Sequence, residues 1–334
     1  MQNSKKVAII FTGGTISMKV DPRIHAAIPA LSSEEILGMV TNVENFANIE
    51  IINFGNYPSP HITPNMMMDL SKLVKETISR DDVTGVVVTH GTDTLEETAY
   101  LLDLTVKSEK PVVVVGAMRN SSELGYDGSS NLSAAICTAI SDSSKNKGVL
   151  VVMNNEVNAA SEVTKTNTLS LDTFKSPEFG PLGIVDNDEI LYYRNIISRE
   201  HIDTDSIETK VLLLKSAPGV NSDIINYCIN SGYKGIVIEA MGRGNLPPEM
   251  IDGIVRSISK NIPVVLVSRC PTGRVLDTYG YEGGGNHLRK LGVIFGGNLP
   301  GQKARIKLML LLAKINDMNK IRKQFEKDEY KNLN

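Results

Sequence analysis

The sequence has no tryptophan, and aromatic residues make up only 5% of it. Cysteine is nearly as scarce. The three present, Cys137, Cys228 and Cys270, are far apart and odd in number. They have neither metal-ligand spacing nor a disulfide framework, which is the usage of a reducing compartment. Buried free thiols are the expected role for at least two of them. Neither sign of charge dominates: 35 Lys and Arg stand against 38 Asp and Glu, for a net charge of −3. That balance leaves no electrostatic footprint for nucleic acid or an anionic membrane. A tail of like charges is missing too, apart from a mixed-charge helical stretch from Lys320 to Lys331. No apolar run reaches the roughly 18 residues of a membrane span. Lys5 and Lys6 precede an apolar run of signal-peptide length, but it leads into Thr12-Gly13-Gly14-Thr15 without a small-residue cleavage site. A soluble cytoplasmic protein is the expectation.

What the chain has instead is one unit used repeatedly. Short apolar, β-branched runs break into small or hydroxylic residues, and a helical pattern follows. This predicts an α/β fold with parallel strands and crossover helices. A length of 334 residues favours two domains. The polar, carboxylate-rich stretch 197–208 reads as a linker, giving domains at 1–196 and 209–334, each a mostly parallel sheet flanked by helices. In the first domain, strands are expected at Lys6–Phe11, Asn48–Phe54, Gly85–Thr89, Pro111–Val115 and Val149–Met153. Three prolines between Tyr57 and Pro64 forbid helix and central strand. Thr63 and Pro64 then open a helix to about Ser79 as N-cap and first helical residue. Further helices are expected at Leu95–Leu102 and Asn131–Ile140, the latter after a Ser- and Gly-rich loop. In the second domain, strands are expected at Val211–Lys215, Gly235–Glu239 and Pro263–Ser268. Helices are expected near Asn221–Ser231, Pro248–Lys260 and His287–Leu291, and from Gly301.

Chemistry concentrates at the strand ends of the first domain. Thr15 closes the first strand, Thr92 and Asp93 close the third, and Lys165 follows the fifth. Parallel strands bring such ends to one edge, where open α/β sheets bind ligands. A threonine hydroxyl needs a base before it becomes a good nucleophile. A desolvated Lys165 can serve as that base for Thr92, with Asp93 orienting the lysine or binding a cation. The plainer alternatives are a solvated Lys165 and helix caps at Thr92, Asp93 or Thr94. His90 has no second His or Cys at ligand spacing, so no metal site is expected. Thr-Gly-Gly-Thr lacks the Gly-x-x-x-x-Gly-Lys form, and Gly242-Arg243-Gly244 lacks a third glycine, so nucleotide binding is not indicated.

Two segments go beyond pattern. Thr12-Gly13-Gly14-Thr15-Ile16 and His90-Gly91-Thr92-Asp93-Thr94-Leu95-Glu96-Glu97 resemble the two signature motifs of bacterial L-asparaginases. Gly116-Ala117-Met118-Arg119, Val163-Thr164-Lys165-Thr166-Asn167-Thr168, Phe174-Lys175-Ser176, Gly180-Pro181-Leu182-Gly183, Gly244-Asn245-Leu246, Pro271-Thr272-Gly273 and Gln302-Lys303-Ala304-Arg305 extend the resemblance over nearly the whole chain.

The resemblance implies a two-domain amidohydrolase that converts L-asparagine and water to L-aspartate and ammonia without a metal or organic cofactor. Thr15 matches the primary nucleophile, with Thr92 kept as the alternative attacking hydroxyl. Thr92, Asp93 and Lys165 match a second catalytic group, and Asp93 also meets the substrate α-amino group. Ser59 matches the serine that holds the α-carboxylate. Gly14, Ala117, Asn245 and Glu282 complete the implied substrate-binding set, with Asn245 reaching the site from an adjoining subunit. Backbone N–H groups near Gly14 and Thr92 would face the oxyanion. A homotetramer or homodimer is implied.

Two departures stand out. Pro58-Ser59-Pro60-His61 replaces the usual Asp-Ser, and Pro60 has no N–H to donate, which bears on tolerance for glutamine. Many relatives carry a tyrosine on the mobile loop after Thr15. Here Ala27 takes that position, and no tyrosine occurs between Thr15 and Asn56. Tyr279, Tyr281 and Glu282 are candidate replacements. The alternatives within the fold are a glutaminase-asparaginase of mixed specificity, the amidase-like subunit of a tRNA-dependent amidotransferase, and a non-catalytic amino-acid sensor. The amidotransferase component usually has an extra N-terminal domain, whereas the motif here begins at residue 12. The intact hydroxyls and lysine weigh against the sensor.

Overall fold

The computed structural model describes residues 5–40 and 47–327. The chain divides into two compact units, Met1–His201 and Ile202–Asn334, and the division falls within the polar stretch 197–208.

The first unit is built on an eight-stranded sheet. Its elements run β1 (Lys6–Gly13), β2 (Met18–Asp21), β3 (Ala26–Pro29), α1 (Ser33–Gly38), β4 (Asn48–Tyr57), α2 (Pro64–Ser79), β5 (Gly85–Thr89), α3 (Leu95–Thr105), β6 (Val112–Val115), α4 (Gly128–Ile140), β7 (Val149–Met153), β8 (Glu156–Ala159), β9 (Thr164–Lys165), β10 (Phe174–Lys175), β11 (Gly183–Asp186) and β12 (Glu189–Tyr192). The sheet order is β12-β11-β8-β7-β6-β5-β1-β4. The strands β4, β1, β5, β6 and β7 are parallel, while β8, β11 and β12 add an antiparallel edge.

The central strands are valine and isoleucine runs because both of their faces are covered. Every residue of β5, β6 and β7 is buried. Helices α2, α3 and α4 pack on these strands. Each buried aliphatic side chain contributes roughly 1.5–3 kcal/mol, and Phe11 and Phe174 join the same core. Thr63 caps α2 by accepting from Met66 N at 3.3 Å, with Pro64 as the first helical residue.

The topology selects one crevice. From β1 the chain passes outward to β4 at the sheet edge, then returns across β1 to β5, and from there proceeds the other way to β6. Connections therefore leave the carboxyl ends of β1 and β5 in opposite directions. Such a switch point leaves a gap above the strand ends.

The second unit holds a four-stranded parallel sheet, ordered β13 (Val211–Lys215), β14 (Gly235–Ala240), β15 (Val264–Ser268) and β16 (Ile294–Phe295). Its helices are α5 (Asp223–Asn230), α6 (Ile251–Ser259), α7 (Gly285–Leu291), α8 (Gly301–Leu312) and α9 (Met318–Phe325). Ile225, Ile236, Ile238, Leu266 and Leu288 form part of its core. Among the described residues no helix is long and apolar enough to cross a membrane. Cys137 and Cys228 are buried free thiols, and Cys270 is exposed.

Several expectations are corrected. The hairpins β2–β3 and β11–β12 and the strand β8 are additional to the expected strands. Helix α4 starts at Gly128 rather than Asn131. A 3-10 turn, Pro248–Met250, precedes α6, so the α-helix starts later than expected. Of the mixed-charge stretch Lys320–Lys331, the part to Phe325 belongs to α9, and residues from 328 lie outside the described residues.

Candidate active site

Strands β1 and β5 pair in register from Val7 with Gly85 to Phe11 with Thr89. Two threonines lock the end of that pairing. The Thr12 hydroxyl donates to Thr89 O at 2.7 Å, and Thr12 N donates to Thr89 Oγ1 at 3.3 Å. Thr12 is buried and structural. Beyond it the two loops touch. Gly14 has φ 86°, and a Cβ there would lie 2.3 Å from the Cα and N of Gly91. Only glycine fits this approach, on both conformational and steric grounds. The turn Thr15–Ser17 is thereby held beside the loop that carries Thr92.

Ser59 joins the same group. It is buried on a short turn, Ser59–His61. Asp93 N donates to Ser59 Oγ at 3.3 Å, and the Thr94 hydroxyl donates to Ser59 O at 3.0 Å. Thr94 is the residue before α3, yet its side chain makes no capping bond to that helix. The capping alternative thus fails, because these side chains face the crevice and its neighbours instead.

Lys165 Nζ lies 2.9 Å from Thr92 Oγ1 and 2.7 Å from Asp93 Oδ1. Its side chain is only 16% exposed, so the solvated-lysine alternative also fails. The route to this position differs from the one expected. After β7 the chain turns back through antiparallel β8, and Lys165 comes from the small ribbon β9–β10. Buried Glu96 anchors that ribbon: its Oε1 accepts from Thr164 Oγ1 at 3.0 Å and from Lys165 N at 3.2 Å. Asp93, Glu96, Lys165, Thr166, Asn167 and Thr168 line an open cavity of about 540 Å³.

The hydroxyl of half-buried Thr15 makes no hydrogen bond to any described residue. It is free to meet a ligand. The amide of Gly14 is not free, since it donates to Tyr57 O at 2.9 Å. The amides of Thr15 and Thr92, by contrast, donate to no described residue. Ala117 is fully buried just after β6, so its methyl offers no open surface.

His90 is wholly buried beneath the site. Its Nδ1 lies 2.8 Å from Gly91 O and its Nε2 2.8 Å from Thr98 Oγ1. A carbonyl only accepts, so Nδ1 carries the proton and Nε2 accepts from Thr98. Burial lowers the imidazole pKa to about 4, so the ring is neutral and supports the Gly91 loop. Sequence reasoning missed the supporting roles of Glu96 and His90. Their signal was slight: a polar residue a few positions from a site residue.

Asn245 and Glu282 belong to the second unit. Asn245 Oδ1 is buried there without a hydrogen-bond partner among the described residues, and Glu282 is exposed. Tyr279 and Tyr281 are exposed, with ring centroids 5.7 Å apart.

The crevice at the switch point thus brings together Thr15, Thr92 and a largely buried Lys165 paired with Asp93. The family models for "Asparaginase, N-terminal" and "Glutaminase/Asparaginase C-terminal domain" match residues 6–198 and 210–325. The chain belongs to the asparaginase family of amidohydrolases. It is 36% identical to an L-asparaginase of Bacillus licheniformis, over 93% of this chain and 96% of the relative. A probable periplasmic L-asparaginase of Haemophilus influenzae is 37% identical over 96% and 92%. A glutamyl-tRNA(Gln) amidotransferase component of Methanobrevibacter smithii is 31% identical over 98% and 76%. The crystal structure of a probable cytoplasmic L-asparaginase from Campylobacter jejuni superposes with a TM-score of 0.87 at 34% identity, covering 96% of this chain and 99% of that one.

Proposed function

We propose that this chain hydrolyses L-asparagine to L-aspartate and ammonia, with Thr15 as the nucleophile. The observation that carries this reading is the placement of Lys165 Nζ between Thr92 Oγ1 and Asp93 Oδ1, in the crevice that also holds an unbonded Thr15 hydroxyl. Thr15 Oγ1 attacks the side-chain amide carbon, and the carbonyl oxygen becomes an oxyanion facing the Thr15 and Thr92 amides. The C–N bond breaks and ammonia leaves with the proton supplied from the hydroxyl side. Water then adds to the acyl-threonine ester, aspartate departs, and Thr15 regains its proton. Lys165 Nζ lies within proton-transfer reach of the Thr92 hydroxyl, so this pair moves the protons. Asp93 binds the substrate α-ammonium and orients Lys165. Ser59 binds the α-carboxylate.

Glutamine is the second substrate to consider. Pro60 removes an N–H next to Ser59, and one relative is part of an amidotransferase. We assign preference to asparagine. A cytoplasmic location fits the free thiols, although relatives are described from both the periplasm and the cytoplasm. Assembly as a homodimer or homotetramer completes the proposal, with sedimentation as its check.

The test is ammonia release from L-asparagine, D-asparagine and L-glutamine by wild type, Thr15→Ala, Thr92→Val and Lys165→Met. L-Asparagine should be strongly preferred, and Thr15→Ala should lower kcat by about 10⁴-fold. Full turnover in Thr15→Ala would remove it as nucleophile. A thermal shift with aspartate but no ammonia from wild type would establish a sensor instead.

A further inference from the structure

The segment after Thr15 carries no tyrosine, yet a tyrosine reaches it from elsewhere. The Tyr126 hydroxyl, 110 residues away in sequence, donates to Ile16 O at 2.9 Å. Ile16 is the middle residue of the turn Thr15–Ser17 that bears the candidate nucleophile. The same loop holds the next residues as well. Ser121 N and Ser121 Oγ donate to Met18 O at 3.0 and 2.9 Å, and Val20 N donates to Ser122 Oγ at 3.0 Å.

The loop is itself braced. The Asp127 carboxylate accepts from Met118 N and Arg119 N at 2.9–3.1 Å and from Asn131 Nδ2 at 2.9 Å. Arg119 Nη1 donates back to Leu124 O at 3.1 Å. Gly128 supplies a separate observation. A Cβ there would lie 2.2 Å from the Tyr126 hydroxyl oxygen and 2.3 Å from the ring carbon that bears it. The tyrosine ring therefore lies across the start of α4 in space that any side chain at position 128 would fill. Burial and the adjacent Asp127 raise the Tyr126 pKa well above the usual tyrosine range, which keeps the phenol a donor rather than a base.

We propose that Tyr126 is a positioning residue for Thr15: its hydroxyl, seated over Gly128, fixes the turn that aims the nucleophile, and Ser121 and Ser122 complete the clamp. Tyr126 does not touch the reacting atoms. This inference rests on the functional reading above, because its kinetic arm uses asparagine hydrolysis.

Tyr126→Phe keeps the ring and removes one hydrogen bond. It should lower kcat for L-asparagine about 10-fold, the scale of roughly 1.4 kcal/mol for one hydrogen bond. KM should stay within about 2-fold and Tm within about 2 °C, a split that a purely structural role would not produce. Gly128→Ala reaches the same end without altering the tyrosine, and should lower kcat similarly. Hydrogen exchange of peptides spanning 15–20 should speed up in both variants, and this readout needs no substrate. Unchanged kcat and unchanged exchange in Tyr126→Phe would overturn the clamp even if Thr15→Ala is inactive. Faster exchange in a protein that releases no ammonia would keep the clamp and remove the functional reading. A lower Tm with unchanged kcat would reduce Tyr126 to a packing residue and so overturn the proposal.

Discussion

The two ends of the large sheet each carry charged side chains, and they use them differently. At the amino end, Lys6 bridges Glu50 at 2.6 Å and Asp82 at 2.8 Å, while Arg80 bridges the same two carboxylates at 2.7 and 3.0 Å. Arg80 and Lys6 lower the Glu50 pKa to about 2 and hold Asp82 below the usual carboxylate range. At the carboxyl end, one lysine lies between a carboxylate and a hydroxyl. The amino end has perturbed carboxylates, yet every group in it is matched by an opposite charge and nothing is left to act on a ligand. The carboxyl end has fewer charges, an unbonded Thr15 hydroxyl, and a cavity beside Lys165. Perturbed titration marks candidate sites only statistically, because structural ion-pair networks perturb it too. Here an unbonded Thr15 hydroxyl in the crevice that holds Lys165 is the better guide.

Paired substitutions at the two ends test that contrast. Lys165→Met should reduce kcat by about 10³-fold or more while leaving Tm nearly unchanged. Lys6→Met should leave kcat unchanged and act on Tm alone. Equal kinetic losses from the two would erase the distinction between the ends.

A smaller effect comes from the support beneath the site. The folded His90 pKa is lowered to about 4, below its unfolded value, so the neutral ring contributes full stability above pH 6.5. As pH falls from 6.5 toward 4, the unfolded state takes up the proton first and that contribution is lost. The loss is about 3 kcal/mol, read as a falling urea midpoint. His90→Gln should flatten this slope; an equally steep slope in the variant would assign it to other groups.

The smallest effect belongs to the amino end. The Glu50 pKa is lowered, so its contribution is full above the ordinary carboxylate range and is lost as pH falls through about 2. Most of it is screened by solvent, and Glu50→Gln should lower Tm by about 2 °C or less at neutral pH. A much larger drop would mean that the network organises the sheet rather than decorating it.

The parallel strands were legible because burial on both faces writes itself as unbroken runs such as Val86-Val87-Val88 and Val112-Val113-Val114-Val115. The start of α2 was legible because Thr63 and Pro64 act locally. The antiparallel edge was not. Strands β8, β11 and β12 have only four residues each, too few to show a period. The β11–β12 turn had a local signal in Asn187 and Asp188, both at positive φ, which are residues that tolerate the left-handed turns of tight hairpins. The grouping of Thr92, Asp93 and Lys165 was legible through their motifs. Glu96, His90 and Tyr126 were not, because each acts on a partner distant in sequence or through a backbone atom.

The sequence alone determined which segments become buried strands, that Thr15 and Thr92 stand just past strand ends, and that Gly13 and Gly14 let the chain turn. These are consequences of local composition and backbone freedom. Only the tertiary structure decided that β1 and β5 lie side by side at the switch point. It also decided that Gly14 meets Gly91, that Lys165 arrives on a separate ribbon anchored by Glu96, and that Tyr126 reaches Ile16. Those pairings depend on packing between segments up to 110 residues apart, and no local preference of either partner encodes them.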